Sequence, residues 1–466
     1  MINVQKPKIG FLGMMTDIYD ESQPEVTANQ EKFAKEVVDR FKDSLDIDFP
    51  GIAKSREEIE RIVKYFNDKE YDGMMVVNLI YSPSGFLIQA LQNNKLPLLI
   101  ACIQPLPSVT KDWNWSFLTT NQGMHGFQDT GNIVMRTSRI KPTILVDDWK
   151  SESFKSFLID WSAVVNTIAQ LKKTRIAVFG RVNGMGDIKG DDIAFCKKFG
   201  IEVNEENLGS IVHYMDAITS EEIDKQIEED KKNFEIESKL PEERHRYASK
   251  LQIAFEKFII DNNYRGLSHS CLAFGEDGRF KQINILGATN LLAKGYGYAG
   301  EGDSNTVTLT IIGHMMLGDP HFTEMYSLDF KKDAALMCHM GEGNWKVARK
   351  DRPVKLIDRP LDIGGLENPP TTVFSPEPGP AILVSLAAIE GRQYRMVVSR
   401  GTVLDTEEIP GITLPYCFFK PDIGIKKSME EWLMKGGTHH EVMFLGDPSR
   451  RLKMFCKILD IEYVEV

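Results

Sequence analysis

Strand-like and helix-like segments alternate through the first hundred residues, and this alternation restricts the fold more than any other feature. Lys8 to Gly13 (KIGFLG) has the composition of a strand, and Asn29 to Leu45 carries helical periodicity. Asp46 to Pro50 reads as a short strand and Ser55 to Asp68 as a second amphipathic helix. Gly73 to Ile80 (GMMVVNLI) and Leu96 to Ile103 (LPLLIACI) are apolar runs of the length a buried parallel strand needs. Strands alternating with helices imply a doubly wound sheet. A long helix, roughly Ser151 to Lys173, ends this unit.

A second unit of the same kind starts at Arg175, where RIAVFG runs into a glycine-rich turn, Gly180 to Gly190, and then a helix. Further strands are expected near Ile201 to Val203 and Gly266 to Ser270. Residues 217 to 262 read as two long surface helices, with Pro241 suited to the first turn of the second. Ile283 to Lys294 is another helix. After Phe322 the helical period fades and prolines cluster from Glu367 to Pro380. Ile382 to Ala388, Tyr394 to Ser399 and a short run before Asp405 look like an antiparallel set, so the last third is expected to be β-rich. At roughly 150 residues per domain, a chain of 466 residues has room for about three.

Charge and cysteine usage narrow the function. The formal net charge is −11 and no basic stripe is present, which argues against nucleic acid and anionic membranes as partners. A neutral, polar or cationic ligand fits better. The N-terminus has no cleavage-site pattern, and no apolar stretch reaches the ~20 residues needed to span a bilayer. The six cysteines form no CxxC pair and are widely scattered, as expected of reduced thiols in the cytoplasm.

Four segments could carry chemistry. Gly295 to Asp303 (GYGYAGEGD) crowds glycines around Glu301; a helix C-cap with a tight turn would also explain them. Glu324 and His339 lie in strand-like apolar runs, where a buried carboxylate or imidazole must be paired or coordinated. Gly436 to Glu441 (GGTHHE) offers His439 and His440, which point to opposite faces if extended. Two carboxylates with imidazoles and no thiolate suit Mn²⁺, Co²⁺ or Mg²⁺, with Zn²⁺ and Fe²⁺ left open.

In this order the segments resemble the L-arabinose isomerase family. GYGYAGEGD, Glu324–Met325–Tyr326, CHM around His339 and WLMKGGTHH match its C-terminal signature. Asn121 to Gly126 (NQGMHG) is similar to its NQxxHG segment, and FGRVNGMGDIKGD to its FGxNMRxVAVTxGD segment. The resemblance implies two Rossmann-like doubly wound α/β domains, residues 1–173 and 174–321, followed by a β-barrel-like domain, residues 322–466. It implies Glu301, Glu324, His339 and His440 as ligands of a divalent metal, Mn²⁺ before Co²⁺ or Mg²⁺, with Glu301 and Glu324 also acting as base and acid. His439, Tyr326, Phe274, Met185 and Gln122 would line a sugar pocket. His125 would reach a neighbouring subunit's site in a homotrimer or homohexamer. One departure stands out. The family's GSQ segment reads GMMTDIYD here, with Met15 where the sugar-binding glutamine is expected. An apolar group cannot replace an amide that hydrogen-bonds a hydroxyl, so the resemblance leaves open which pentose, hexose or deoxy sugar is used.

Two other classes compete with the isomerase reading. A dinucleotide-binding oxidoreductase would place GxGxxG after RIAVFG, but the glycines at Gly180, Gly184 and Gly186 do not have that spacing. A non-catalytic sugar-binding or regulatory protein on the same scaffold is the alternative, though it would have little reason to retain two acid–base carboxylates. An epimerase, or an isomerase of another sugar, would share the chemistry.

Overall fold

The computed structural model describes residues 6–138, 140–361, 365–390 and 393–466. They fall into two compact units, one ending at Gln170 and the other running from Leu171 to Val466.

The first unit is built on a parallel sheet of β1 (Lys8–Met14), β2 (Asp46–Asp48), β4 (Gly73–Asn78), β5 (Leu98–Cys102) and β6 (Thr143–Val146), ordered β2-β1-β4-β5-β6. The two-residue β3 (Ile52–Ala53) pairs with the end of β1. Every residue of β4 is buried, which explains why its sequence is an apolar run and not an alternation. Helix Arg56–Asp68 starts where expected, at a capping box in which Ser55 accepts from the Glu58 backbone N–H and Glu58 reaches back. The sequence reading did not anticipate β6 or the helix Met124–Thr137.

The second unit opens with a four-stranded parallel sheet of β7 (Arg175–Phe179), β8 (Glu202–Glu205), β10 (Gly266–His269) and β11 (Gly297–Gly300), in the order β11-β10-β7-β8. The expected helix pair is present as Ser220–Asn233 and Glu242–Asp261. Between them lies a short strand, β9 (Glu235–Ile236), which joins β14 (Lys355–Asp358) and β15 (Pro370–Val373) in a small sheet. Helix Ser304–Ile312 packs against β11 at very short range. A Cβ on Gly297 would lie 2.4 Å from Ile311 Cγ1 and 2.8 Å from the Val307 carbonyl oxygen, so only glycine permits this approach.

The remaining strands are β12 (His321–Asp329), β13 (Ala334–Cys338), β16 (Gly379–Ala388), β17 (Tyr394–Val403), β18 (Tyr416–Pro421), β19 (His440–Leu445) and β20 (Glu462–Glu465). They pair in the order β16-β19-β12-β13-β18-β17-β20, antiparallel throughout except for β17 with β20. β16 also pairs with β17 over ten residues, so the six strands from β16 round to β17 each have a neighbour on both sides. One face of these strands buries Met337, Leu383, Phe419 and Met443 as a shared apolar core. Burial of each such side chain contributes about 1.5–3 kcal/mol. The opposite face of β12 and β19 carries Glu324 and His440.

Candidate functional site

The site forms where the carboxyl end of the parallel sheet meets β12, β13 and β19. β11 ends at Gly300, and Glu301 follows with a φ of 66°, a left-handed conformation that few non-glycine residues adopt. Two backbone hydrogen bonds hold it there. Glu301 N–H donates to the His269 carbonyl at 2.8 Å, and Val182 N–H donates to the Glu301 carbonyl at 3.0 Å. Register supplies the other ligand candidates: Glu324 on β12 lies opposite His440 on β19 and opposite Cys338 on β13, and His339 follows Cys338 directly.

The side chains converge. His440 Nε2 lies 3.5 Å from Glu301 Oε2 and 3.6 Å from Glu324 Oε1. His339 Nε2 is 3.8 Å from Glu324 Oε1. His439 Nε2 is 3.6 Å from Glu301 and 3.8 Å from Glu324. Each imidazole turns its Nδ1 to a carboxylate: Asp303 at 2.9 Å from His440, Glu342 at 2.7 Å from His339, and Asp187 at 2.7 Å from His439. An ionised carboxylate can only accept, so Nδ1 of each ring carries a proton and Nε2 is the atom turned to the centre.

A divalent cation fits this arrangement. His440 is fully buried, and neither its Nε2 nor Glu301 Oε2 has a hydrogen-bond partner. Two overlapping groups, Glu301–His439–His440 and Glu324–His339–His440, each place one ligand atom per residue within 4.8 Å of the others. The donors are oxygen and imidazole nitrogen, the set that suits Mn²⁺, Co²⁺ or Mg²⁺, and carboxylates backing the imidazoles are what ligating histidines usually have.

The electrostatics point the same way. Burial disfavours charge on Glu301, but the His439 and His440 imidazoles outweigh it and hold the carboxyl well below its usual range. Burial also opposes charge on His440, yet Asp303 and Glu301 push it up to about 10. A field that favours a proton there favours a cation as well. Beneath the site, burial lowers His269 to about 4. The Tyr298 hydroxyl donates to Glu342 at 2.9 Å, extending the support behind His339.

The structure thus brings together Glu301, Glu324, His339, His439 and His440. Met185 is half-buried in the turn that carries Asp187. Phe274 is completely buried, its ring edge-on to His269 at 5.1 Å. Tyr326 is 67% exposed at a bulge in β12, where register shifts between Met325 and Ser327. Met15, Gln122 and His125 belong to the first unit. Met15 is fully buried with Val26 and Ile80, so it packs there as core. Gln122 donates to the Tyr19 hydroxyl at 2.9 Å, and His125 stacks on Tyr81 at 5.0 Å. The sequence reading did not single out Asp187, Asp303 or Glu342. The available signal was spacing: Asp303 stands where a helix N-cap belongs, and Glu342 stands three residues after His339.

Two partly buried carboxylates converging on carboxylate-backed imidazoles at the end of an α/β sheet are the groups that an enzyme moving protons would use. Comparison with known proteins makes this more specific. The L-arabinose isomerase N-terminal, central and C-terminal domain models match residues 3–173, 176–319 and 319–462. L-arabinose isomerase from Pediococcus pentosaceus is 28% identical over the full length of both chains. That from Mannheimia succiniciproducens is 26% identical over 99% of this chain and 95% of its own. The chain belongs to the L-arabinose isomerase family, a family of aldose–ketose isomerases. A periplasmic sugar-binding protein of an ABC transporter from Legionella pneumophila, at 12% identity over 66% of this chain and 93% of its own, superposes with a TM-score of 0.16, too low to bear on the fold.

Proposed function

We propose that the protein interconverts an aldose and its ketose, acting on free L-arabinose or a related pentose or hexose through a cis-enediol, with a divalent metal, Mn²⁺ before Co²⁺ or Mg²⁺. The observation that carries this reading is the approach of Glu301 and Glu324 to His440 Nε2, at 3.5 and 3.6 Å. Glu301, Glu324, His339 and His440 would hold the cation, with His439 beside the sugar. When bound, the cation stabilises negative charge on adjacent sugar oxygens.

The remaining work falls to the two glutamates. One carboxylate oxygen takes the proton from C2 of the aldose and returns it to C1. The other moves the proton released from the C2 hydroxyl to the oxygen on C1. The product is the ketose, with no net loss of atoms or electrons. Asp303, Glu342 and Asp187 keep the imidazole rings oriented throughout.

The ring of pairings from β16 round to β17 is read here as a barrel-like scaffold holding Glu324 and His440. The first unit exposes Trp115, Met124, Met135 and Val146, each at least half accessible. An apolar surface of this kind suits contact with further copies of the chain, in a homotrimer or homohexamer where His125, next to Met124, reaches a neighbour's site. The six cysteines are free, which suits the cytoplasm, and no helix among the described residues is long and apolar enough to cross a membrane.

The test is an assay of the Mn²⁺-loaded protein against aldopentoses, aldohexoses and deoxy sugars, followed by NMR in D₂O. Conversion of one sugar with deuterium beside the carbonyl is expected. Conversion of none, with metal shown to be bound, overturns the reading.

A further inference from the structure

Glu301 holds a left-handed φ of 66°, and Gly302 follows at 88°. A glutamate in that region is strained, and the conformation persists only when its surroundings fix it. Its backbone is fixed on several sides. Glu301 N–H donates to the His269 carbonyl, Gly302 N–H donates to Ser268 Oγ at 2.8 Å, and Val182 N–H donates to the Glu301 carbonyl. A charged group completes the set: Arg181 Nη1 donates to the Gly302 carbonyl at 3.0 Å.

Arg181 is itself immobilised. Its Nη2 donates to both carboxylate oxygens of Asp192, at 3.1 and 3.0 Å, and its Nε lies 3.7 Å from Glu205. Asp192 opens the helix Asp192–Phe199, and Glu205 ends β8, so the guanidinium is anchored to two elements. The side chain is only 17% exposed. It also lies flat against the turn, since a Cβ on Gly302 would be 2.6 Å from Arg181 Cγ. The guanidinium therefore grips the peptide that immediately follows the proposed acid–base carboxylate, and its polar partners among the described residues are Gly302, Asp192 and Glu205.

We infer that Arg181 is a positioning residue for Glu301. Through the Gly302 carbonyl it holds the Glu301 carboxylate aimed at His440 and the cation site. The inference rests on the metal-dependent isomerase reading above. A side chain that only adds stability would change the unfolding midpoint and leave the site intact. A positioning side chain changes the aim of Glu301, and a misplacement of about 1 Å can cost roughly 100-fold in rate.

The test compares the parent protein with Arg181→Ala, Arg181→Lys and Asp192→Asn. Three quantities are read: Mn²⁺ affinity by titration calorimetry, the split between kcat and KM, and the unfolding midpoint without metal. For Arg181→Ala, Mn²⁺ affinity is expected to fall about 10–100-fold, the range for residues that support a ligand from outside. kcat is expected to fall by a similar factor with KM for the sugar nearly unchanged and the metal-free midpoint within a few degrees of the parent. Arg181→Lys, which reaches the carbonyl but cannot fork to Asp192, should recover part of both losses. Asp192→Asn should show a smaller loss in the same direction, and it carries the test if Arg181→Ala fails to fold. Unchanged Mn²⁺ affinity and kcat in the folded variants overturn the inference, as does a lowered midpoint with an intact site. A parent that converts no sugar defeats the isomerase reading instead, and Mn²⁺ affinity then still reports on Arg181.

Discussion

Within the site, burial assigns the residues different weights. Glu301 and Glu324 are each close to two imidazoles or more, so Glu301→Gln and Glu324→Gln should each lower turnover at least 100-fold while circular dichroism stays native. Near-normal turnover in either variant would remove the acid–base assignment. His440 is fully buried and shared by both ligand groups, whereas the His439 side chain is 38% exposed and belongs to one. His440→Ala is therefore expected to weaken Mn²⁺ binding more than His439→Ala in calorimetry, and the reverse order would show that the wrong imidazole was chosen. Much of this scale was legible in the sequence. Glycines around a lone glutamate and an HH dipeptide are unusual enough to notice. Asp187 was not legible, because a carboxylate that supports an imidazole looks in sequence like any other polar residue. Nor did spacing show that Met15 is core, since the apolar run GFLGMM continues into it without a break.

Among the elements, the hairpin β12–β13 and the strand β19 do for Glu324, His339 and His440 what no local motif could. Their antiparallel register sets three distant side chains side by side. Alternation in the sequence reveals that strands exist, but register depends on which strands pair, and only the fold shows that. The helix Ser304–Ile312 makes a separate demand, close approach to β11 over Gly297. Gly297→Ala should cost about 1–3 kcal/mol, the range for overpacking a tight contact. Urea unfolding would check this, and an unchanged midpoint would mean that the helix shifts freely. The short strands β9, β14 and β15 escaped the sequence reading because two to four residues carry too little periodicity.

For the whole molecule, a cation that binds only the folded chain adds to its stability. At a free Mn²⁺ concentration 100 times its dissociation constant the gain is about 2.7 kcal/mol. Exhaustive chelation should therefore abolish turnover and lower the melting temperature by several degrees, and Mn²⁺ should restore both. Full activity after chelation would exclude a metal role. The exposed apolar side chains of the first unit make a parallel claim. The double substitution Met135→Lys with Val146→Lys should shift the protein to a smaller species in sedimentation, and an unchanged species would place the contact elsewhere. The α/β character of the units was readable from the alternation of runs. How the strands after residue 321 pair was not, because their partners lie far apart in the chain.

Asp303 has one last consequence. One of its oxygens accepts the Thr306 N–H at the start of helix Ser304–Ile312, while the other holds His440. Glu301 and His440 also stand far apart along the chain, and closing a loop of that length is slow compared with forming a helix. Asp303 can cap its helix early, but it meets His440 only when β19 docks. On refolding, helical signal should return first and turnover later, with the lag set by that final docking.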